Sequence, residues 1–189
     1  TDTPDDGDIS GINDPLRVTA SSSRSPFGEG VDNVFDGNPL TKYLNFDGEG
    51  AGLILEYQTA QAFNNISFTS ANDFAERDPM SYRVYGSNTA LDWADACWEL
   101  AGEGETNLSL ARQTAGDVSA FVNDTAYRFY KVEFTTMRDI DSTDSIQVAN
   151  VSLDRGNLNY VVDGDVFVDD AWVSARSLAG ELSVSATGS

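Results

Sequence analysis

The chain has 189 residues, of which 31 are acidic and 11 are basic, so its formal net charge is −20. It contains no histidine and a single cysteine, which excludes a Ser-His-Asp triad, a Cys-His pair, a histidine-ligated metal and an internal disulfide. The strong negative charge opposes contact with nucleic acid and with anionic lipid heads. No apolar run approaches the roughly 18 residues of a membrane-spanning helix, so we expect no membrane insertion.

Residues 1–14 are interpreted as an acidic linker. Four aspartates fall among the first eight residues, together with Pro and Gly, and the segment has no hydrophobic periodicity. It lacks the features of a signal peptide, and we expect the chain to be a processed piece of a longer protein. The acidity suits an exported or salt-adapted protein, because repulsion between like charges keeps such a protein soluble.

Residues 15–155 are predicted to fold as one all-β domain. Short runs rich in β-branched and aromatic residues alternate with clusters of Gly, Asn, Asp and Pro, which is typical of an antiparallel sandwich or jelly roll. One stretch differs, because Leu91 to Leu100 has a short amphipathic pattern that predicts one or two helical turns. Cys97 lies within it and is predicted to be a small buried residue.

Residues 156–189 are predicted to be a β-rich C-terminal extension, either an extra hairpin or the start of a following module. The pair Asp163-Gly164 between two apolar runs favours a hairpin turn. A calcium loop built from the aspartates around it is the alternative, although their spacing departs from that of an EF-hand. Asn159–Val162 and Leu182–Ala186 are candidate strands for pairing with a neighbouring molecule.

Four segments of the central domain carry a family resemblance. In chain order they read VTASSSRSPFGEGVDNVFDGNPLTKYLNF, TSANDFAERDPMSYRVYGSN, AYRFYKVEF and SIQVANVSL. Together they resemble the discoidin domain, also called the coagulation factor V/VIII type C domain, whose bacterial members include the family 32 carbohydrate-binding modules. The resemblance implies an eight-stranded jelly-roll sandwich, usually with one structural calcium.

An oxygen-rich turn carries the candidate metal ligands. Calcium takes about six to eight oxygen ligands from carboxylates, amides and backbone carbonyls. The resemblance implies that they come from the Asn33 carbonyl, Asp36, Asn38, Thr41, the Ala149 carbonyl and Asn150. Many relatives have glutamate where Asn150 stands, and an amide oxygen is a weaker ligand than a carboxylate. The alternative is that residues 36–39 form only an Asx turn.

Two predicted loops combine an aromatic side chain with planar polar groups. An aromatic face suits the C–H surface of a sugar, and planar polar groups suit its vicinal hydroxyls. The candidate ligand-binding residues are Arg24, Phe27, Asn72, Asp73, Phe74, Glu76 and Arg77. The alternative is that Arg77 pairs with Asp78 and that Phe74 fills the core.

The aromatic side chains outside these two loops are predicted to have different roles. Trp93, in an apparent insertion relative to the family, is a second candidate for ligand contact. Five aromatic residues are instead expected to pack in the core or against strands: Tyr43, Tyr82, Tyr127, Tyr130 and Trp98.

The expected function is a non-catalytic, calcium-stabilised carbohydrate-binding module of a secreted or cell-surface protein, with a polysaccharide or glycoprotein glycan as its partner. No phosphate-binding glycine loop and no distinctive pair of acids point to an enzyme. The alternative is a structural or adhesive building block of an extracellular filament or surface layer, which self-assembles through residues 156–189.

Overall fold

The computed structural model describes residues 14–89 and 92–156, and the backbone of three strands between residues 165 and 186. Ten strands and two short 3₁₀ helices, Val31–Phe35 and Ala75–Arg77, make up the first part. The strands are β1 (Arg17–Ala20), β2 (Tyr43–Asn45), β3 (Gly52–Gln61), β4 (Asn65–Thr69), β5 (Pro79–Ser87), β6 (Glu99–Glu105), β7 (Ser119–Ala120), β8 (Tyr127–Met137), β9 (Ile146–Val148) and β10 (Asn150–Asp154).

Two antiparallel layers form a sandwich. The larger sheet has the strand order β1-β3-β8-β5-β6, and the smaller layer combines the sheet β10-β4-β7 with the pair β2-β9. Strands β9 and β10 are separated only by Ala149, whose N–H donates to the Thr69 carbonyl at 2.8 Å. The predicted all-β antiparallel sandwich is therefore confirmed.

Aromatic side chains join the two layers. On β8, Tyr130, Val132 and Phe134 point inward because successive side chains of a strand face opposite sides. Phe68 of the smaller layer packs against Tyr82 and Phe134 of the larger sheet, with ring centroids 5.2 and 6.2 Å apart. Burial of each such ring contributes about 1.5–3 kcal/mol. The expected packing of the four tyrosines is confirmed, since all four are buried.

Several connections meet at one end of the sandwich, which we call the loop end. Ala20 at the end of β1 lies opposite Leu53 near the start of β3. Met137 at the end of β8 lies opposite Pro79 at the start of β5. The loop end therefore collects the segments 21–30, 46–51, 70–78, 106–116 and 138–145, and it positions every candidate ligand-binding residue of the two predicted loops.

The segment 92–98 corrects two expectations, a short helix and a buried Cys97. It forms turns before β6 and contains no helix among its residues. Cys97 is exposed because this segment runs over the surface. Trp98 is half-buried and packs against a strand, one of its two expected positions, since its ring is 5.3 Å from the Lys131 Nζ of β8 and its indole N–H donates to the Asp92 carbonyl at 3.1 Å.

The second unit of the chain spans residues 157–189. Its described backbone forms an antiparallel sheet of β11 (Asp165–Val168), β12 (Ala171–Leu178) and β13 (Glu181–Ala186) in that order. The acidic linker up to Asn13, the Asp163-Gly164 turn and the candidate strand Asn159–Val162 lie outside the described residues. In the part of the chain that is described, no helix is both long and apolar enough to cross a membrane.

Candidate functional site

Lys42 lies at the centre of the loop end and joins the two predicted binding loops. Its Nζ donates to Asp73 Oδ1 at 2.6 Å and to Gln147 Oε1 at 3.1 Å. Glu29 Oε1 lies 3.8 Å from the same Nζ. The Lys42 side chain is 6 % exposed, so one buried charge holds Glu29 of the first loop and Asp73 of the second in place.

Gln147 fixes the backbone of the second loop. Its Nε2 donates to the carbonyls of Asp73 and Phe74 at 2.5 and 3.0 Å. Its Oε1 accepts from Lys42, so both the oxygen and the NH₂ group of this buried amide are hydrogen-bonded. The base of the loop 70–78 is thus determined by hydrogen bonds within the fold.

Phe27 and Phe74 are the exposed aromatic side chains of these loops. Phe27 is fully exposed and Phe74 is 61 % exposed, so the expectation that Phe74 fills the core is wrong. Phe74 has φ +36° and ψ +75°, a left-handed conformation that non-glycine residues rarely adopt. The Arg77 guanidinium lies 4.6 Å from the Phe74 ring centroid, a cation–π contact.

The remaining candidates of these loops differ in their surroundings. Arg24 Nη1 donates to Asp47 Oδ1 at 2.8 Å, which ties the first loop to the segment 46–51. Ser22 also donates to Asp47, and these hydrogen bonds lower the pKa of the Asp47 carboxyl. Asn72 and Glu76 are exposed. The loop end therefore offers amide, guanidinium and carboxylate groups beside two exposed rings.

Asp78 connects three of the loops, and its partner differs from the expected one. Arg112 makes a two-pronged contact with its carboxylate at 2.7–3.0 Å, and Arg138 Nη2 lies 3.3 Å from Oδ2. Arg138 also donates to the Leu108 carbonyl at 2.7 Å. Burial raises the pKa of Asp78 to about 6, although both arginines lower it. The alternative in which Arg77 pairs with Asp78 is therefore wrong, since Arg112 and Arg138 pair with Asp78.

An open cavity of about 620 Å³ lies between the segments 46–51 and 137–144. Sequence reasoning did not single it out. Its floor includes Met137 and Ile140, and its rim is acidic. The lining residues are Asp47, Gly48, Glu49, Met137, Ile140, Asp141, Ser142, Thr143 and Asp144.

The candidate metal ligands form two small groups of oxygen atoms. Asp36 Oδ2 accepts from the Thr41 hydroxyl at 2.6 Å, and that hydroxyl lies 2.8 Å from the Asn38 carbonyl oxygen. The Asn33 side-chain NH₂ donates to the backbone carbonyls of Gly28 and Lys42. The proposed ligand atom of Asn33 is its backbone carbonyl oxygen. Among the described residues, no three Asp, Glu or Cys side chains gather at one point, so this set rests on one carboxylate.

Asn150 provides the second group. Its side-chain amide lies 3.2 Å from the Ala149 carbonyl oxygen and 3.3 Å from the Val34 carbonyl oxygen. If the Asn150 amide oxygen faces the Ala149 and Val34 carbonyl oxygens, three hydrogen-bond acceptors converge, and a bound cation would neutralise the repulsion between them. With the amide turned round, its NH₂ donates to both carbonyls and joins the same segments without an ion. These candidate ligand atoms are all oxygens, the type that calcium takes, and the Val34 carbonyl would join them. Asp36 Oδ1 also accepts from the Asn38 N–H at 2.8 Å, the Asx turn of the alternative, so calcium stays a prediction.

One of three comparisons with known proteins finds matches to this fold. No family model and no curated protein sequence matches the chain. The solved structures do match, and the family 32 carbohydrate-binding module of AlyQ, in complex with 4,5-unsaturated mannuronic acid, covers 76 % of this chain and 97 % of its own length at 17 % identity and TM-score 0.56.

Two further solved structures come from Clostridium perfringens. The family 32 module of NanJ in complex with galactose covers 72 % of this chain and 92 % of its own, at 14 % identity and TM-score 0.54. The first two modules of ZmpB in complex with GalNAc cover 79 % of this chain and 38 % of their own, at 12 % identity and TM-score 0.60. The chain therefore has the discoidin-like fold of family 32 carbohydrate-binding modules, as the sequence resemblance predicted.

Lys42 and Gln147 are the functional-site residues that sequence reasoning missed. Lys42 offered a weak signal, since basic residues are scarce in this chain and it stands between Thr41 and Tyr43. Gln147 lies between Ile146 and Val148, where strand alternation predicts a solvent-facing side chain. Its burial follows from the partner loop covering that face.

Proposed function

We propose that this protein is a non-catalytic carbohydrate-binding module that binds a polysaccharide or glycoprotein glycan at its loop end. The supporting observation is that Phe27 and Phe74 stand exposed on two loops that Lys42 ties together. An exposed ring loses little conformational entropy on binding when its loop is already fixed, so such a site is preorganised. The proposal extends to a secreted or cell-surface location, which the acidity of the chain supports.

The charges at the loop end suit the recognition of hydroxyl groups. Arg77, stacked on Phe74, keeps donor groups beside the ring, and Asn72 supplies a donor and an acceptor. Carboxylates accept hydrogen bonds from vicinal hydroxyls, and Glu76 is exposed beside them. A sugar stacked on Phe74 would therefore meet groups of both polarities.

Calcium is the second part of the proposal, with a structural role. The Asn33, Val34 and Ala149 carbonyls, Asp36, Asn38, Thr41 and Asn150 would hold the ion. It would supply the positive charge that links the turn 31–41 to the start of β10, and thereby restrict both segments. One carboxylate in the set predicts weak binding.

The experiment for the glycan proposal uses two substitutions and a matched control. Phe74→Ala and Phe27→Ala remove the exposed rings, and Val122→Ala shortens a side chain that is 93 % exposed at the opposite end of the sandwich. Binding to a glycan panel that includes galactose, GalNAc, chitosan, pectin and alginate is measured by calorimetry. Loss with either phenylalanine variant and retention with the control supports the proposal. Equal binding by all four proteins contradicts it.

The calcium proposal is tested by melting the protein with millimolar calcium and again with chelator. An ion that binds only the folded state raises the Tm, and the rise grows with the logarithm of the calcium concentration once that exceeds the Kd. Asp36→Ala should abolish the increment, because it removes the carboxylate of the set. The same Tm in calcium and in chelator would favour the arrangement in which the Asn150 NH₂ joins the two carbonyls.

The alternative function is assembly through the second unit of the chain. The three-stranded sheet has β11 and β13 at its edges, and an edge strand offers unpaired N–H and C=O groups to another chain. Light scattering over a range of concentrations tests this proposal with the full chain and with a chain truncated after Gly156. Concentration-dependent growth that the truncation abolishes would favour assembly, and an unchanged mass would argue against it.

A further inference from the structure

A groove on the outer face of the larger sheet reaches the loop end only at Ser21. It has a volume of about 430 Å³ and lies between β1, β3 and the segment 92–94. Ligand pockets are commonly about 300–1,000 Å³. The groove is more enclosed than the cavity between the segments 46–51 and 137–144, so a small ligand would lose much of its contact with water there.

The register of the sheet explains what lines this groove. Arg17 is paired with Glu56, and Glu56 with Phe129, across three adjacent strands. Because outward positions recur every second residue, Ile54 stands in the next outward row beside Glu56. Phe129 and Ile54 are buried although they face outward, since other groups cover the sheet here. They form an apolar floor.

Trp93 forms the opposite wall and is held there by its surroundings. The Lys131 Nζ lies 5.0 Å from the Trp93 ring centroid and 4.4 Å from that of Tyr85. It also donates to the Trp93 carbonyl at 3.5 Å. Gly52 leaves space for the indole, because a Cβ at that position would come within 2.8 Å of Trp93 Cη2. The ring therefore lines the groove from a fixed position.

Polar groups stand at the rim of the same groove. Arg17 Nη2 lies 3.0 Å from Glu56 Oε2, and the other oxygen of this carboxylate accepts from Arg128. Asp92 adds a second carboxylate, which is exposed, whereas the Glu56 side chain is only 14 % exposed. A ring wall, an apolar floor and a paired guanidinium and carboxylate are the groups that bind the C–H face and the vicinal hydroxyls of a pyranose.

We propose that this groove is a second carbohydrate subsite, which binds a neutral pyranose unit against Trp93. Glu56 is compensated by Arg17 and Arg128, whereas the exposed Asp92 carboxylate opposes a uronate by like-charge repulsion, so the preferred ligand carries no carboxylate. The subsite rests on the proposed function in that its ligand is a sugar. The groove contains none of the candidate ligand-binding residues of the loop end, and the two proposals can therefore fail separately.

The test measures binding of neutral galacto-, xylo-, manno- and cello-oligosaccharides to the full chain by calorimetry and tryptophan fluorescence. Trp93→Ala should weaken binding at this subsite about tenfold, the effect of losing roughly 1.4 kcal/mol of ring contact. Glu56→Gln should weaken it while leaving the tryptophan wall in place. Leu100→Ala, which removes an exposed side chain from β6, is the control.

The outcomes separate the two proposals. A stoichiometry of two that falls to one in Trp93→Ala, with the remaining site lost in Phe74→Ala, supports both. One site that is sensitive to Phe74→Ala and indifferent to Trp93→Ala and Glu56→Gln overturns the subsite alone. One site that is sensitive to Trp93→Ala and Glu56→Gln and indifferent to Phe74→Ala overturns the loop-end proposal alone. Failure of every neutral oligosaccharide to bind overturns the subsite, and the acidic and amino-sugar polysaccharides of the glycan panel then decide the loop end.

Discussion

The cluster around Asp78 predicts an unusual dependence of stability on pH. Desolvation of the buried carboxylate opposes its attraction to Arg112 and Arg138, and burial is the larger effect, so the pKa rises from 3.8 to about 6. Between these values the folded protein holds a proton at Asp78 that the unfolded chain has released. The stability that this group contributes is therefore full below pH 3.8 and is lost as the pH rises through 6.

The magnitude follows from the size of the pKa difference. A rise from 3.8 to about 6, at about 1.4 kcal/mol per unit, corresponds to about 3 kcal/mol of unfolding free energy. Asp78→Asn removes the titration while keeping the shape of the side chain. Because the two proteins share all their other titrating groups, subtracting their unfolding free energies leaves the contribution of Asp78.

The assay is urea unfolding of both proteins at intervals between about pH 3 and pH 8. We expect the stability of the wild type relative to Asp78→Asn to fall by about 3 kcal/mol across this range. A flat difference would refute the assigned pKa. A difference that grows with pH would show that pairing with the arginines outweighs desolvation and that the pKa of Asp78 lies below its ordinary value.

Three other perturbations have definite expected outcomes. Lys42→Met leaves the buried Gln147 Oε1 without its donor, while the Asp73 side chain, 39 % exposed, is solvated by water; we expect a loss of about 1–3 kcal/mol together with weaker glycan binding, by urea unfolding and calorimetry. Asn150→Glu adds a second carboxylate to the calcium set, and it should enlarge the calcium-dependent rise in Tm; an unchanged rise would exclude Asn150 as a ligand. Gly52→Ala would place a Cβ 1.9 Å from the Val132 carbonyl oxygen, so we expect overpacking to cost at least about 1–3 kcal/mol, and wild-type stability would contradict this contact.

Much of the fold could be predicted from the sequence because local patterns carry it. The alternation in RFYKVEF places Tyr130, Val132 and Phe134 on one face of β8, and the structure buries all three. The run of strand patterns bounded by turn residues excludes most helical architectures. The predicted family resemblance is confirmed at the level of the fold.

The connections between distant segments could not be predicted in the same way. Lys42 and Gln147 are 105 positions apart, and no periodicity in either segment indicates that they meet. Cys97 was misassigned because the pattern of Leu91 to Leu100 is equally compatible with a surface turn, and the packing of that segment on Lys131 decides between them. The partner of Asp78 was misassigned for a similar reason, since its nearest arginine in sequence stacks on Phe74.

The loop end separates the groups that fix the loops from the groups that protrude from them. Lys42, Gln147 and Asp78 hold the loop bases from positions that are at most 5 % exposed, whereas Phe27 and Phe74 contribute little to the packing beneath. Substitutions at the protruding positions therefore have small effects on the free energy of unfolding. Saturation mutagenesis of Phe27, Asn72, Phe74, Glu76 and Arg77, with the three anchoring residues kept, would accordingly yield libraries of folded variants that differ in the ligands they recognise.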